Sequence, residues 1–165
     1  MILGSLNLLF SDPLRFLLVF PISLGVVGMA LLVAITVHEF SHALAAFYLG
    51  DLTAKRLGRL SLNPIRHLDP MGTALLVIVG FGWGKPVPVN DAALRRGRQG
   101  MAVVAAAGPI SNVVTASLFA MPIRTGVLTW HSPFFFDASF QTGIEGFLSQ
   151  IVGFIIFFNI ILAAL

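Results

Sequence analysis

The chain has 165 residues, enough for one domain, but 57% are hydrophobic and only 10% charged, with a mean hydropathy of +0.94. That balance excludes an ordinary soluble domain and indicates an integral membrane protein. The net charge of +3 does not point to nucleic acid, because eight of the ten Lys and Arg fall between Asp51 and Arg98. They are flanked by apolar segments, the pattern of a loop on the positive-inside face of a membrane. There is no cysteine, so any metal site must be built from His, Asp or Glu.

Met1 to Phe10 is apolar but shorter than the ~20 residues needed to cross the hydrocarbon core, and is expected to lie at the interface. No basic residue precedes Arg15 and no small-residue cleavage site follows, so no cleaved signal peptide is read. Ser11-Asp12-Pro13 makes a turn or a helix start, and Phe16 to Val37 carries no charge. The first span is expected from about Pro21, as a first-turn residue, to Leu49, with its stop at Gly50-Asp51.

From Asp51 to Pro70 the chain mixes Lys55, Arg56, Arg59 and Arg66 with Leu57, Leu60 and Leu62, which predicts strand or irregular structure at the interface. Asn63-Pro64 and Asp69-Pro70 read as turns. Gly72 to Phe81 is too short to span and predicts a re-entrant hairpin offering an edge strand. Gly80, Gly82, Gly84, Pro86 and Pro88 break regular structure, and Asp91 to Gly100 reads as a charged surface loop.

Met101 to Met121 is the second span, rich in small residues that permit close helix packing. Gly108-Pro109 is expected to break or kink it. Asn112 places an amide near mid-membrane, either as glue between helices or as part of an active site. Arg124 to Glu145 is a polar and aromatic link expected on the face opposite the basic loop, and Gly146 to Leu165 is long enough to return across the bilayer. The fold class is therefore an all-α polytopic membrane protein with about three transmembrane helices, and a short re-entrant or β-like segment between the first and second.

Within the first span lies His38-Glu39-Phe40-Ser41-His42. Residues four apart share one face of a helix, so His38 and His42 can offer imidazole nitrogens to one metal ion, Zn2+ by default. Glu39 then lies beside the metal without serving as a ligand, where a carboxylate can take a proton from water. The competing readings are a buried hydrogen-bonded polar cluster and a transporter's proton relay, since ionisable groups at membrane depth are costly and paired. A transporter would carry ionisable groups on several spans, whereas here only this helix has them.

Several blocks together resemble the site-2 protease family of zinc intramembrane metalloproteases, in particular its compact prokaryotic branch without a PDZ domain. They are Thr36 to Ala43, Gly50-Asp51, Gly58 to Pro64, His67 to Gly72, Phe81 to Asn90 and Ala107 to Asn112, in the family's order. The resemblance implies zinc on His38 and His42, Glu39 as general base, and Asn112 near the active site. It also implies cleavage of a transmembrane protein substrate within the lipid bilayer. The length implies a single membrane-embedded domain over residues 1–165, and the Lys and Arg asymmetry a multi-pass cell-membrane protein with the active site toward the cytoplasm. No nucleic acid is expected, and a homo-oligomer is left open.

One family element has no counterpart: the Asp of an Asn-x-x-Pro…Asp-Gly motif that supplies the third zinc ligand. Phe157-Phe158-Asn159 resembles its lead-in. The expectation is a missing C-terminal segment, because a catalytic zinc takes three protein ligands and an open position. His67, Asp69, His131, Asp137, Glu145 and Asn159 are weak substitutes. The alternative to an intramembrane endopeptidase is a protease-like protein that binds transmembrane helices without cleaving them.

Overall fold

The computed structural model describes residues 9–79, 83–130 and 143–165, with no account of side chains at 76–79. Among the described residues five α-helices have both ends defined: α1 Pro13–Tyr48, α2 Thr53–Arg56, α3 Pro70–Val79, α4 Gly97–Arg124 and α5 Gly143–Ala164. Of these, α1, α4 and α5 are long and apolar enough to cross a membrane. The protein is an all-α polytopic membrane protein, with no strand among the described residues. The expectation for Met1 to Phe10 falls mainly on residues outside the described set, although Phe10 itself is exposed.

Helix α1 starts eight residues earlier than Pro21 predicts. Asp12 accepts a hydrogen bond from Arg15 N through Oδ1 at 3.1 Å and one from Phe16 N through its carbonyl at 3.0 Å, which makes it an N-cap with Pro13 at the first helical position. Pro21 lies inside the helix. It costs one backbone bond, which 36 residues of otherwise apolar helix absorb. The far end closes as the sequence predicts: Gly50 takes φ +106°, its N–H reaches Phe47 O and that of Asp51 reaches Ala46 O. This pair of bonds is a Schellman cap, and its left-handed residue favours glycine.

The chain falls into two compact units, one of residues 1–31 and 115–159, the other of 32–114 and 160–165. In the first unit the buried side chains include Val26, Val27 and Ala30 on α1 and Ser149, Phe154, Ile155 and Ile156 on α5. Asn159 turns its amide nitrogen back to Ile155 O at 2.8 Å, and Glu145 accepts from Thr129 Oγ1 at 3.2 Å. His131, Asp137 and most of the predicted aromatic link lie outside the described residues.

In the second unit Ala46, Leu94 and Val104 form a buried cluster, with Leu49, Val89 and Met101 packed against it. Asp51 is fully buried and ties two segments together, Oδ1 accepting from Thr53 N at 2.8 Å and Oδ2 from Asn90 N at 2.7 Å. Burial disfavours its ionised form, but the hydrogen bonds from Thr53 and Asn90 and the nearby Arg56 outweigh that and hold its carboxyl below the usual carboxylate range.

Three sequence expectations change here. The predicted strand or irregular stretch from Asp51 to Pro70 contains α2 and a 3-10 turn, Pro64–Arg66, which Asn63 caps through Oδ1 to Ile65 N. The predicted hairpin is instead α3, because Asp69-Pro70 is a helix start rather than a turn. Asp69 Oδ1 accepts from Gly72 N at 2.8 Å, its carbonyl accepts from Thr73 N, and Pro70 sits at the first helical position. Ten residues rise only ~15 Å, so α3 does not span. What remains of the β-like reading among the described residues is an antiparallel bridge, Leu68 to Gly84, with Lys85 N donating to His67 O at 2.8 Å. Likewise α4 continues through Gly108-Pro109 unbroken; bilayer helices re-satisfy backbone groups freed by proline through local partners.

Candidate metal centre

The site is built from three stretches of the second unit: residues 36–43 of α1, residues 104–112 of α4 and the extended segment at 86–88. His38 and His42 lie one turn apart on α1, their ring centroids 4.6 Å apart and their planes at 82°. Both Nε2 atoms converge on Gly108. A Cβ placed on that glycine would lie 2.4 Å from His42 Nε2 and 2.6 Å from His38 Nε2. Zinc binds imidazole nitrogen at ~2.0–2.1 Å, so the space a side chain would fill is nearly the space an ion bridging the two nitrogens needs. Glycine at 108 keeps that space open.

The tautomer of His42 follows from its other nitrogen. Nδ1 lies 2.6 Å from Val104 O, and a carbonyl only accepts, so Nδ1 carries the proton and Nε2 presents its lone pair toward Gly108. Val104 is one turn before Gly108, and both are buried on the face of α4 that meets the histidines. His38 Nδ1 is buried with no hydrogen-bond partner among the described residues.

Glu39 Oε2 accepts from Val87 N at 3.0 Å. Pro86 and Pro88 have no N–H, so Val87 supplies the one backbone donor of this three-residue stretch. The bond fixes one carboxylate oxygen and leaves Oε1 to other partners. Asn112, one turn beyond Gly108, is fully buried, and neither its Nδ2 nor its Oδ1 has a partner among the described residues. An unpaired buried amide costs ~1–3 kcal/mol, and such groups are uncommon outside functional sites.

The other candidates among the described residues make bonds of their own. His67 is buried with Nε2 2.7 Å from Ser61 O, and Asp69 caps α3. Glu145 and Asn159 make their described bonds within the first unit. Among the described residues no group of three His, Cys, Asp or Glu converges, so the pair His38 and His42 fits zinc in donor chemistry and direction without a third protein ligand in that set. In the sequence Gly108 reads as a small packing residue, a helix breaker and part of the Ala107 to Asn112 block, not as the position that faces the histidines, and Val104 O and Val87 N–H are passed over; a carbonyl or amide that serves from its backbone leaves no residue-type signal.

No protein-family model matches the chain, and no solved structure does. Among curated relatives, it is 41% identical over 133 residues to "Putative zinc metalloprotease YwhC" of Bacillus subtilis, covering 80% of this chain and 59% of that protein. It is 31% identical over 126 residues to "Putative zinc metalloprotease Rip2" of Mycolicibacterium smegmatis, covering 70% of this chain and 46% of that one. The Rip2 protein of Mycobacterium tuberculosis is 34% identical over 99 residues. The chain thus spans about half the length of the relatives it matches. Over most of its own length it is similar to proteins named as zinc metalloproteases, and that likeness supports a zinc-dependent protease.

Proposed function

We propose that this chain carries the zinc-binding part of an intramembrane endopeptidase of the site-2 type, acting on transmembrane segments of other proteins. The observation that supports it most is the convergence of His38 Nε2 and His42 Nε2 on the side-chain-free position 108, inside helices apolar enough to span a membrane. His38 and His42 would hold the ion. Zinc, when bound, supplies Lewis-acid polarisation of the scissile carbonyl and acidifies water.

The chain's own groups divide the remaining work. Val104 O keeps the His42 proton on Nδ1. Glu39, steadied by Val87 N–H, takes a proton from the attacking water at its free oxygen and delivers it to the leaving amine nitrogen. Asn112, its amide unspent, donates a hydrogen bond to the oxygen that gains charge or to substrate backbone. A substrate helix hides its carbonyls in its own hydrogen bonds, so it must unwind locally before it is cut. The Lys and Arg asymmetry favours a cytoplasmic position for residues 51–100 and hence for the site.

The test is Glu39→Gln in a form that carries a third zinc ligand, with a transmembrane peptide in detergent. Zinc content and peptide binding are expected to stay near the parental values, while cleavage falls by about 10²- to 10⁴-fold, the usual worth of a general acid-base group. Cleavage at the parental rate by the Gln variant would refute the mechanism, and a form with the third ligand that binds zinc and the peptide but leaves the peptide whole would refute the enzyme; the 165-residue chain alone is expected to bind the peptide and cut it poorly or not at all.

A further inference from the structure

Outside the metal centre, the most unusual charged group is Arg59. It is 7% exposed, its Nη1 donates to Arg66 O, and no carboxylate pairs with it among the described residues. A buried guanidinium with only a carbonyl for company is poorly compensated, because charges removed from water need an opposite charge. Nearby cations add to the imbalance. Between residues 51 and 100 there are eight Lys and Arg against three Asp. Of these three, Asp51 is fully buried with both oxygens engaged and Asp69 is committed to the cap of α3, which leaves Asp91 exposed.

The fold builds this cationic spot deliberately. At the end of α2, Gly58 takes φ +67°, Gly58 N bonds to Lys55 O and Arg59 N to Ala54 O, a second Schellman cap that turns the chain and sends Arg59 inward. A Cβ on Gly58 would lie 3.4 Å from Arg66 Nη1, so the Arg66 guanidinium lies against that same turn. Two like charges thus share one short stretch of chain. Around them Leu57, Leu62 and Ile65 are exposed, Ile65 at 75%. The segment joins two membrane-spanning helices, where exposed leucines meet acyl chains rather than water.

We propose that Arg59 and Arg66 form a binding site for the phosphate of an anionic phospholipid, with Leu57, Leu62 and Ile65 set into the surrounding acyl layer. The negative charge that Arg59 lacks among the described residues specifies the headgroup, and the apolar rim favours a lipid over a free anion or an acidic peptide. Clusters of basic residues immediately beside a membrane span bind acidic lipids at ~1 kcal/mol per cation, which is about fivefold in affinity. The proposal does not depend on the protease reading.

Native mass spectrometry of the full chain in detergent, offered phosphatidylglycerol and phosphatidylcholine together, tests it. The parental chain is expected to retain phosphatidylglycerol preferentially. Arg66→Gln and Arg59→Gln should each lower retention about fivefold, Arg59→Lys should lower it less, and Arg98→Gln, on the exposed first turn of α4, should leave it unchanged. If Arg59→Gln fails to fold, the exposed Arg66 and the Lys variant decide the matter. Equal retention of the two lipids, equal retention by Arg66→Gln and the parent, or an equal loss in Arg98→Gln would overturn the site. Displacement of the lipid by inorganic phosphate or by an acidic peptide would overturn the lipid as its occupant.

Discussion

Replacing Gly108 by alanine tests the metal centre at its narrowest point. The added methyl would stand 2.4 and 2.6 Å from the two Nε2 atoms, where ordinary contact begins at 3.4 Å, so it is about 1 Å too close to both. Either α4 retreats or the imidazoles turn away. Retreat works against the Val104 O to His42 Nδ1 bond, and overpacking of this kind costs ~1–3 kcal/mol of stability. Turning the rings destroys their convergence, and in both cases the methyl takes the volume the ion requires. Loss of outer-shell support alone typically costs 10- to 100-fold in metal affinity, so obstruction of the site should cost at least about 100-fold. Zinc is measured by elemental analysis after competition with a graded chelator, with helicity and melting temperature followed in parallel. Val103→Ala, at an exposed position on the same helix, serves as control. A Gly108→Ala chain that folds and holds zinc with parental affinity would refute the convergence argument.

His38→Ala and His42→Ala should each abolish stoichiometric zinc in the same assay, and unchanged stoichiometry in either removes the site as described. Asp51 has a folded-state pKa below its ordinary value, so its stabilisation is present above about pH 4 and lost as pH falls through the folded pKa. Asp51→Asn should therefore lower stability by ~1–3 kcal/mol at neutral pH, because an amide nitrogen would face a backbone N–H, and should flatten the acid limb of melting temperature against pH. An acid limb identical to the parent's would contradict this. Finally, a single cysteine at Arg96 should resist an impermeant thiol reagent applied to intact cells; labelling from outside would reverse the proposed topology.

Much of this protein is written in local sequence, because the relevant physics is local. Three uncharged stretches long enough to cross a bilayer need no tertiary information to be seen, and neither does the one-face placement of residues four apart, which joins His38 to His42. Gly50 and its cap follow from backbone sterics alone. Boundaries were less legible. Asp12-Pro13 and Asp69-Pro70 are chemically alike, each able to make a turn or cap a helix, and the apolar residues after Pro70 that read as a hairpin form α3. Only the tertiary structure decided what faces the histidines. Gly108, Val104 O and Val87 N–H come to the site from 66, 62 and 48 residues away from His42, His42 and Glu39 respectively. The last two act through backbone groups that carry no side-chain identity. A glycine chosen for the room it leaves looks, in sequence, the same as one chosen for a turn, and an arginine buried without a carboxylate looks the same as one in water; burial and approach are properties of the packed chain, which no single stretch of it contains.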